Sequence, residues 1–525
     1  MTSPPATHGA GPANTFETGA AAIEERSKLK KHFGRFDVLF FLVCTLVCVD
    51  TLGAVARTGP EGFTWTIFLA LFFFVPYALV IAELGSAFPE EGGTYLWTRL
   101  AFGRFVAAVS AVLYWVSNPI WLGGSLCITA VATYNAFFGH LGLVAQVVFS
   151  LAFIWLAVWA AILSLDVGKW VPTLGAWARI ALLAFFTLSV ALYAVHHGVH
   201  APRLAKFAPS YTLFIALVPV LFFNFVGFEL PSAAGDEMKD PQRDVPFAVL
   251  RSAALAILLY GIPILSIIMV LPADRITGLG GFIDAMKCVF TVYGGHVTAT
   301  GAELTGPGLV LGKIAAAMFI LVLLSSGTSW IMGADRSQAV AGWDGAGPRF
   351  IGVFSKRWGT PIVVNFLTGV MATIVMIVAF RLAGGSTEKY FNAVLSVVLL
   401  FTTMSYVVIF PALIRLRYVL PDVPRPYRVP FGMAGAWLCV ILTTFWSLLA
   451  SVVGVFPGLG DGMLLNDKAL PAGISRGEFQ LVVFVPVIAT LALGVLFYAL
   501  GRPIRRELAS ATAHSERRRG QQSHG

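Results

Sequence analysis

Residues 105–165 form a run of 61 residues without a single Lys, Arg, Asp or Glu. A membrane-crossing helix needs about 20 apolar residues, so this run holds two crossings and a turn. A water-soluble core cannot bury it. The rest of the chain is of the same kind: of 525 residues, 57% are hydrophobic and 12% charged, with a mean hydropathy of +0.80. Soluble domains carry roughly 25% charged residues. The fold class expected is an all-α polytopic membrane protein.

Apolar runs near 37–56, 62–88, 105–135, 143–165, 170–195, 211–233, 247–271, 310–334, 360–381, 390–415, 432–456 and 479–501 predict 12 transmembrane helices. An even number puts both ends on one side. The net charge of +9 lies in short loops and tails, a pattern that marks the cytoplasmic side and not a nucleic-acid surface. With both termini cytoplasmic, 25 of the 36 Lys and Arg residues fall inside, 10 outside, and Arg179 within a span. The chain then divides into a cytoplasmic tail over 1–34, expected to be disordered, a transmembrane domain over 35–501, and a basic cytoplasmic tail over 502–525. The last is expected to be disordered and close to anionic lipid headgroups. The first 20 residues lack the apolar core of a signal peptide, so the first span directs insertion into the cell membrane.

The five cysteines form no CxxC motif, and no metal or other cofactor is indicated. His196, His197 and His200 read as an outer solvated loop. No phosphate-binding glycine loop and no soluble domain is present, so the chain is not expected to be an enzyme.

Two spans are interrupted. The first contains Asp50-Thr51-Leu52-Gly53, and the sixth carries Asn224, Gly227 and Glu229 before a charged, proline-bearing loop. Broken backbone at membrane depth survives only against protein or a water-filled cavity, and intramembrane carboxylates are costly. Spans 1 and 6 are equivalent members of two consecutive five-helix blocks. Paired interruptions at such positions point to an inverted-repeat carrier with its site between them.

Three motifs then carry a resemblance. AELGSAFPEEGGTYLW (82–97), FVGFELPSAAGDEMKDPQRDVP (225–246) and DRSQAVAGWDGAGPRFIGVFSKRWGTP (335–361) occur in order at suitable intervals. Together they resemble the amino acid–polyamine–organocation superfamily of permeases, over about 35–501. The resemblance implies a five-plus-five inverted repeat followed by two extra helices, with substrate between the unwound middles of spans 1 and 6. By the same resemblance Phe223 is an aromatic gate, Asn224, Val226 and Gly227 belong to unwound backbone whose carbonyls bind an ammonium, and Glu229 is the acidic residue of span 6. Trp330 stands where a ring stacks on the substrate, and Asn118, with Tyr114 and Trp115, stands where span 3 lines the cavity. Arg179 would stand in place of the ion that sodium-coupled relatives bind. The span 1 turn of many amino-acid permeases, G-S-G-like, is absent here; Asp50, Thr51 and Gly53 occupy that region.

Each of these residues has a plainer reading. Asp50 lies about 20 Å along a helix from Asp37, deep in the hydrocarbon, where it acts as counter-charge to an amine, as a protonatable coupling group, or as a structural carboxylate. Glu229 couples a proton or caps backbone freed by the break. Arg179 is a fixed charge or a snorkelling residue near the cytoplasmic end. Tyr114 and Trp115 line the cavity or anchor at the interface. Glu90, Glu91, Gly92 and Gly93 form a structural or gating cytoplasmic turn.

The function expected is secondary active transport of amino acids, proton-coupled or by exchange and sodium-independent. A polyamine or organic amine carrier is the alternative, favoured by Asp50. A channel lacks a repeated filter motif here, and a transport-dead sensor lacks a signalling domain.

Overall fold

The structure is a computed structural model that describes residues 20–163, 165–199, 202–271, 276, 281–298, 301–382, 387–460, 470 and 475–510. Among the described residues, eleven helices are long and apolar enough to cross a membrane, and a twelfth, shorter apolar helix spans Tyr211–Phe223. In chain order they are α1 (Arg35–Arg57), α2 (Gly59–Ala87), α3 (Arg104–Phe137), α4 (Leu143–Ile162), α5 (Trp170–His197), α6 (Tyr211–Phe223) and α7 (Pro241–Val270). There follow α8 (Gly306–Trp343), α9 (Ile362–Leu382), α10 (Thr387–Val419), α11 (Gly432–Val455) and α12 (Arg476–Ser510).

The packing follows a rule of five. α3 packs on α10 as α8 packs on α5, α4 on α8 as α9 on α3, and α1 on α5 as α6 on α10. Exchanging helices 1–5 with 6–10 in order therefore maps one set of neighbours onto the other. Five crossings per block reverse the direction of entry, so the second block is inverted relative to the first. α11 and α12 lie outside the repeat, against α10 and α3 respectively. α1, α3 and α10 are the most buried, while α4 and α12 turn residues such as Val144, Trp159, Leu481 and Ile488 outward, as a lipid face requires.

Both expected interruptions are present, and the sequence shows why. In α1 the α-helix stops at Leu46, and Val49–Thr51 forms a short 3₁₀ turn before helix resumes at Leu52. α6 stops at Phe223, ten residues before the expected end, because Gly227 takes φ +119° and Pro231 follows. π-helical turns at Ala70–Phe74 and Leu122–Leu126 perturb α2 and α3. In the second of these turns a Cβ on Gly123 would lie 2.0 Å from the Ala372 carbonyl. Only glycine lets α9 approach α3 so closely.

Outside the spans, a buried amphipathic helix (Gly281–Phe290) packs on the second half of α1, over Leu52–Arg57, and a hairpin pairs β1 (Gly295–Thr298) with β2 (Gly301–Leu304). Where a disordered N-terminal tail is expected, residues 20–34 are structured. Ala20–Arg26 is helical, Phe33 pairs with Met238, and Arg26 grips Asp236 through two bonds of 2.8 Å. Likewise α12 continues through 502–510, where Arg505 bonds the carbonyls of Gly345 and Tyr498. Residues 1–19 and 511–525 of the expected tails lie outside the described residues, as does His200; His196 and His197 are exposed at the end of α5.

Candidate functional site

The two breaks face each other. Thr51 Oγ1 bonds the Cys48 carbonyl at 2.7 Å and also meets the Asn224 side chain, tying the 3₁₀ turn of α1 to the end of α6. Asp50, beside Thr51, is buried, and its Oδ2 has no hydrogen-bond partner.

The backbone freed in α1 is satisfied by protein. Tyr260 of α7 accepts from the Cys48 N–H at 2.6 Å and donates to the Leu46 carbonyl at 2.7 Å. Arg179 of α5 donates from Nε to the Val47 carbonyl at 2.8 Å. Its other nitrogens reach the Val322 carbonyl at 3.1 Å, Cys44 Sγ at 3.0 Å, Ser325 Oγ at 3.4 Å and Ser326 Oγ. Arg179 is fully buried, so it does not snorkel: its guanidinium joins α1, α5 and α8 at the break.

The break in α6 is treated differently. The carbonyls of Asn224, Phe225 and Val226 accept no hydrogen bond from the described residues, and the Asn224 amide nitrogen has no partner. The N–H groups of Gly227 and Phe228 both donate to Tyr77 Oη at 3.1 Å. Tyr77 in turn bonds Glu229 Oε2, while Tyr114 and Tyr406 (2.8 Å) bond Oε1. Both oxygens of Glu229 are thereby taken by tyrosine hydroxyls from α2, α3 and α10. The carboxylate braces the break through these three bonds.

An aromatic wall closes one side. Trp121 packs on Phe223 (5.1 Å between centroids) and on Trp330 (5.6 Å), and Trp330 on Tyr114 (6.2 Å). The indole nitrogens of Trp121 and Trp330 are buried and unpartnered. Trp330 also borders Gly227, where a Cβ would touch its ring at 3.4 Å.

The structure thus gathers Asp50, Thr51, Phe223, Asn224, Val226, Gly227 and Trp330. It separates one other. Gly53 faces the backbone of Gly281, so close that a Cβ would lie 2.2 Å from it; Gly53 seals the Gly281–Phe290 helix onto α1. Asn118 sits in the seam of α3, α8 and α9, where its side chain neighbours Asp335. Tyr114 and Trp115 are buried and not interfacial, Trp115 donating to Thr368 at 2.8 Å. Tyr77, Tyr406, Trp121 and Tyr260 escape a sequence reading, since an aromatic in an apolar run carries no signal of its own.

Where α8 ends, the three sequence motifs interlock. Arg336 binds Glu237 at 2.8 Å and Glu91 at 3.5 Å, Tyr95 donates to Asp344 at 2.6 Å, and Ser337 donates to the Gly92 carbonyl at 3.0 Å. Gly92 and Gly93 have φ of +103° and +44°, and a Cβ on Gly93 would lie 2.9 Å from the Ala233 nitrogen. Burial pushes the Glu91 carboxyl well above its ordinary range, Glu237 beside it adds to this, and Arg336 opposes both.

The profile of amino acid permeases matches residues 33–463. The chain belongs to the amino acid permease family. This permease is 27% identical over 410 residues to a Lactococcus lactis protein described as "Probable agmatine/putrescine antiporter", covering 76% of this chain and 83% of that one. It is 24% identical over 432 residues to the branched-chain amino acid permease of Bacillus subtilis, with 78% and 86% covered. Among solved structures, a mutant of the Eremococcus coleocola manganese transporter superposes with a TM-score of 0.49 at 13% identity, over 89% of this chain and 95% of that one.

Proposed function

We propose that this permease is a secondary carrier of amino acids across the cell membrane, with both termini cytoplasmic, driven by protons or by exchange and independent of sodium. The observation that carries it is the pairing of unmet groups at the breaks. Asp50 Oδ2 and the α6 carbonyls can only accept hydrogen bonds, whereas the Asn224 amide nitrogen and the two indole nitrogens can only donate. An ammonium answers the first set and a carboxylate the second. Buried polar groups require partners, and a zwitterion supplies both kinds. Independence from sodium follows from Arg179, whose fixed charge holds the carbonyl and hydroxyl oxygens a cation would otherwise take. Cargo passes without covalent change, and the basic loops meet anionic lipid.

The second reading is a polyamine or organic amine, which Asp50 favours and which the agmatine/putrescine antiporter relative brings forward. Glu229 weighs against it, because a diamine seeking a second carboxylate finds that one engaged by three tyrosines. Uptake into proteoliposomes, with labelled amino acids and polyamines and an Asp50→Asn variant, decides between them. Accumulation of a zwitterion supports the first reading; accumulation of polyamines alone, abolished by Asp50→Asn, replaces it with the second.

A further inference from the structure

Away from the breaks, the seam of α3, α8 and α9 holds a carboxylate without a charge partner. Asp335 is fully buried; its Oδ1 accepts from Thr368 at 3.0 Å, and its Oδ2 has no well-formed hydrogen bond, with the Asn118 amide standing beside the carboxyl. Arg336, next in sequence, turns away to Glu237 and Glu91. Thr368, Trp115 and Asn118, the groups that α9 and α3 turn toward Asp335, are neutral, and among the described residues Arg336 is the one charged group near enough to act on it. Neither end of the Asn118 amide has a partner. One helical turn nearer the cytoplasm, Gln338 on α8 and Asn365 on α9 are also buried with unpartnered polar atoms.

An ionised carboxylate left in this way costs several kcal/mol, and the neighbours show how the cost is met. Protonation removes the charge, and the neighbouring Asn118 amide has an oxygen free to accept from the neutral acid. When the proton leaves to water, Asn118 turns its amide over and donates from nitrogen to the carboxylate. A sodium ion would need several oxygens around it, and the Thr368 hydroxyl is already engaged on both sides.

We propose that Asp335 is a proton-binding site of this permease, separate from the cargo site, which exchanges its proton with the cytoplasm past Gln338 and Asn365. Asp335 lies five residues from Trp330, about 7 Å along the helix, so it stands between cargo and cytoplasm. Its neutral form keeps the seam dry and closed, and its ionised form draws water in. The proposal rests on the reading of the chain as a proton-driven carrier.

Two measurements test it. Infrared difference spectra of the purified protein between acid and alkaline pH, without cargo, are expected to show a protonated-carboxyl band that Asp335→Asn removes and Asp335→Glu restores in shifted form. In proteoliposomes, one coupled proton supports up to ~100-fold accumulation across about two pH units. Asp335→Asn is expected to lose this accumulation while retaining cargo-for-cargo exchange, and Asp335→Glu to recover it. The absence of any band lost with Asp335 overturns the proposal, as does unchanged proton-driven accumulation in Asp335→Asn. Should the wild type exchange cargo without proton-driven accumulation, the carrier reading loses its driving ion, and the infrared result alone decides the fate of Asp335.

Discussion

Removal of the Arg179 guanidinium is expected to disable transport through the backbone of α1. In Arg179→Ala the Val47 carbonyl loses a charge-assisted bond of 2.8 Å and keeps no other donor among the described residues. A hydrogen bond to a charged group contributes about 1.5–3 kcal/mol, and an orphaned buried carbonyl costs about 1–3 kcal/mol. These are two measures of one loss, and at their upper end the 3₁₀ turn of α1 loses roughly 3 kcal/mol of support, which at 1.4 kcal/mol per decade is about a 100-fold fall in the competent conformer. Initial exchange rates in proteoliposomes, normalised to inserted protein, are expected to fall by that order. Arg179→Lys keeps the charge but not the planar fork that reaches Val47 and Val322 together, so it should recover only part of the rate. The void left by alanine is lined by the Val47 and Val322 carbonyls and the Ser325 and Ser326 hydroxyls. These hard oxygens suit sodium, and transport by Arg179→Ala is expected to become sodium-dependent. A variant retaining more than half the wild-type rate in sodium-free buffer would refute the reasoning.

Three other outcomes are expected. Tyr77→Phe removes the acceptor of the Gly227 and Phe228 N–H groups and one bond to Glu229; a loss of about 2–4 kcal/mol of local support should appear as faster hydrogen exchange confined to 224–230, and unchanged exchange there counts against the bracing role of Glu229. Gly53→Ala places a methyl where Gly281 backbone stands, and cysteine-labelling should show the Gly281–Phe290 helix displaced, with a lowered melting temperature. At the cytoplasmic lock, the Glu91 carboxyl is raised by burial. A group raised in this way adds stability below its unfolded value of about 4.3 and loses it as pH climbs through the raised value, so protection of 91–93 and 336–338 against exchange should fall with rising pH in wild type and not in Glu91→Gln.

Much of this is legible in the sequence. Polar residues are rare enough in the spans that Asp50, Arg179, Asn224 and Glu229 mark themselves, and the spacing of the two breaks by one five-helix block suffices for the repeat. What the sequence cannot carry is who answers those groups. The tyrosine cage of Glu229 is assembled from positions 77, 114 and 406 on three helices, each unremarkable within its own run. Arg179 announces an anomaly, but its burial depends on α1 having unwound beside it. The early stop of α6 was misplaced because Leu230 and Pro231 read as apolar, whereas the φ of Gly227 and the neighbouring proline had already ended the helix. Gly53 reads as a cargo residue for its place near Asp50, while the contact that requires a glycine there lies 228 residues away, in Gly281.

The structured stretch before α1 has a consequence for how the protein is made. Arg26, His32 and Phe33 leave the ribosome well ahead of their partners Asp236, Glu237 and Met238, and Lys28 binds the Phe354 carbonyl. At about 5–20 residues per second of synthesis, the opening segment waits roughly 10–40 s for the first of these partners. This end of the bundle therefore cannot be fastened while the first repeat is being inserted. It closes only after the second has begun to emerge, and until then the nascent carrier keeps a gap there.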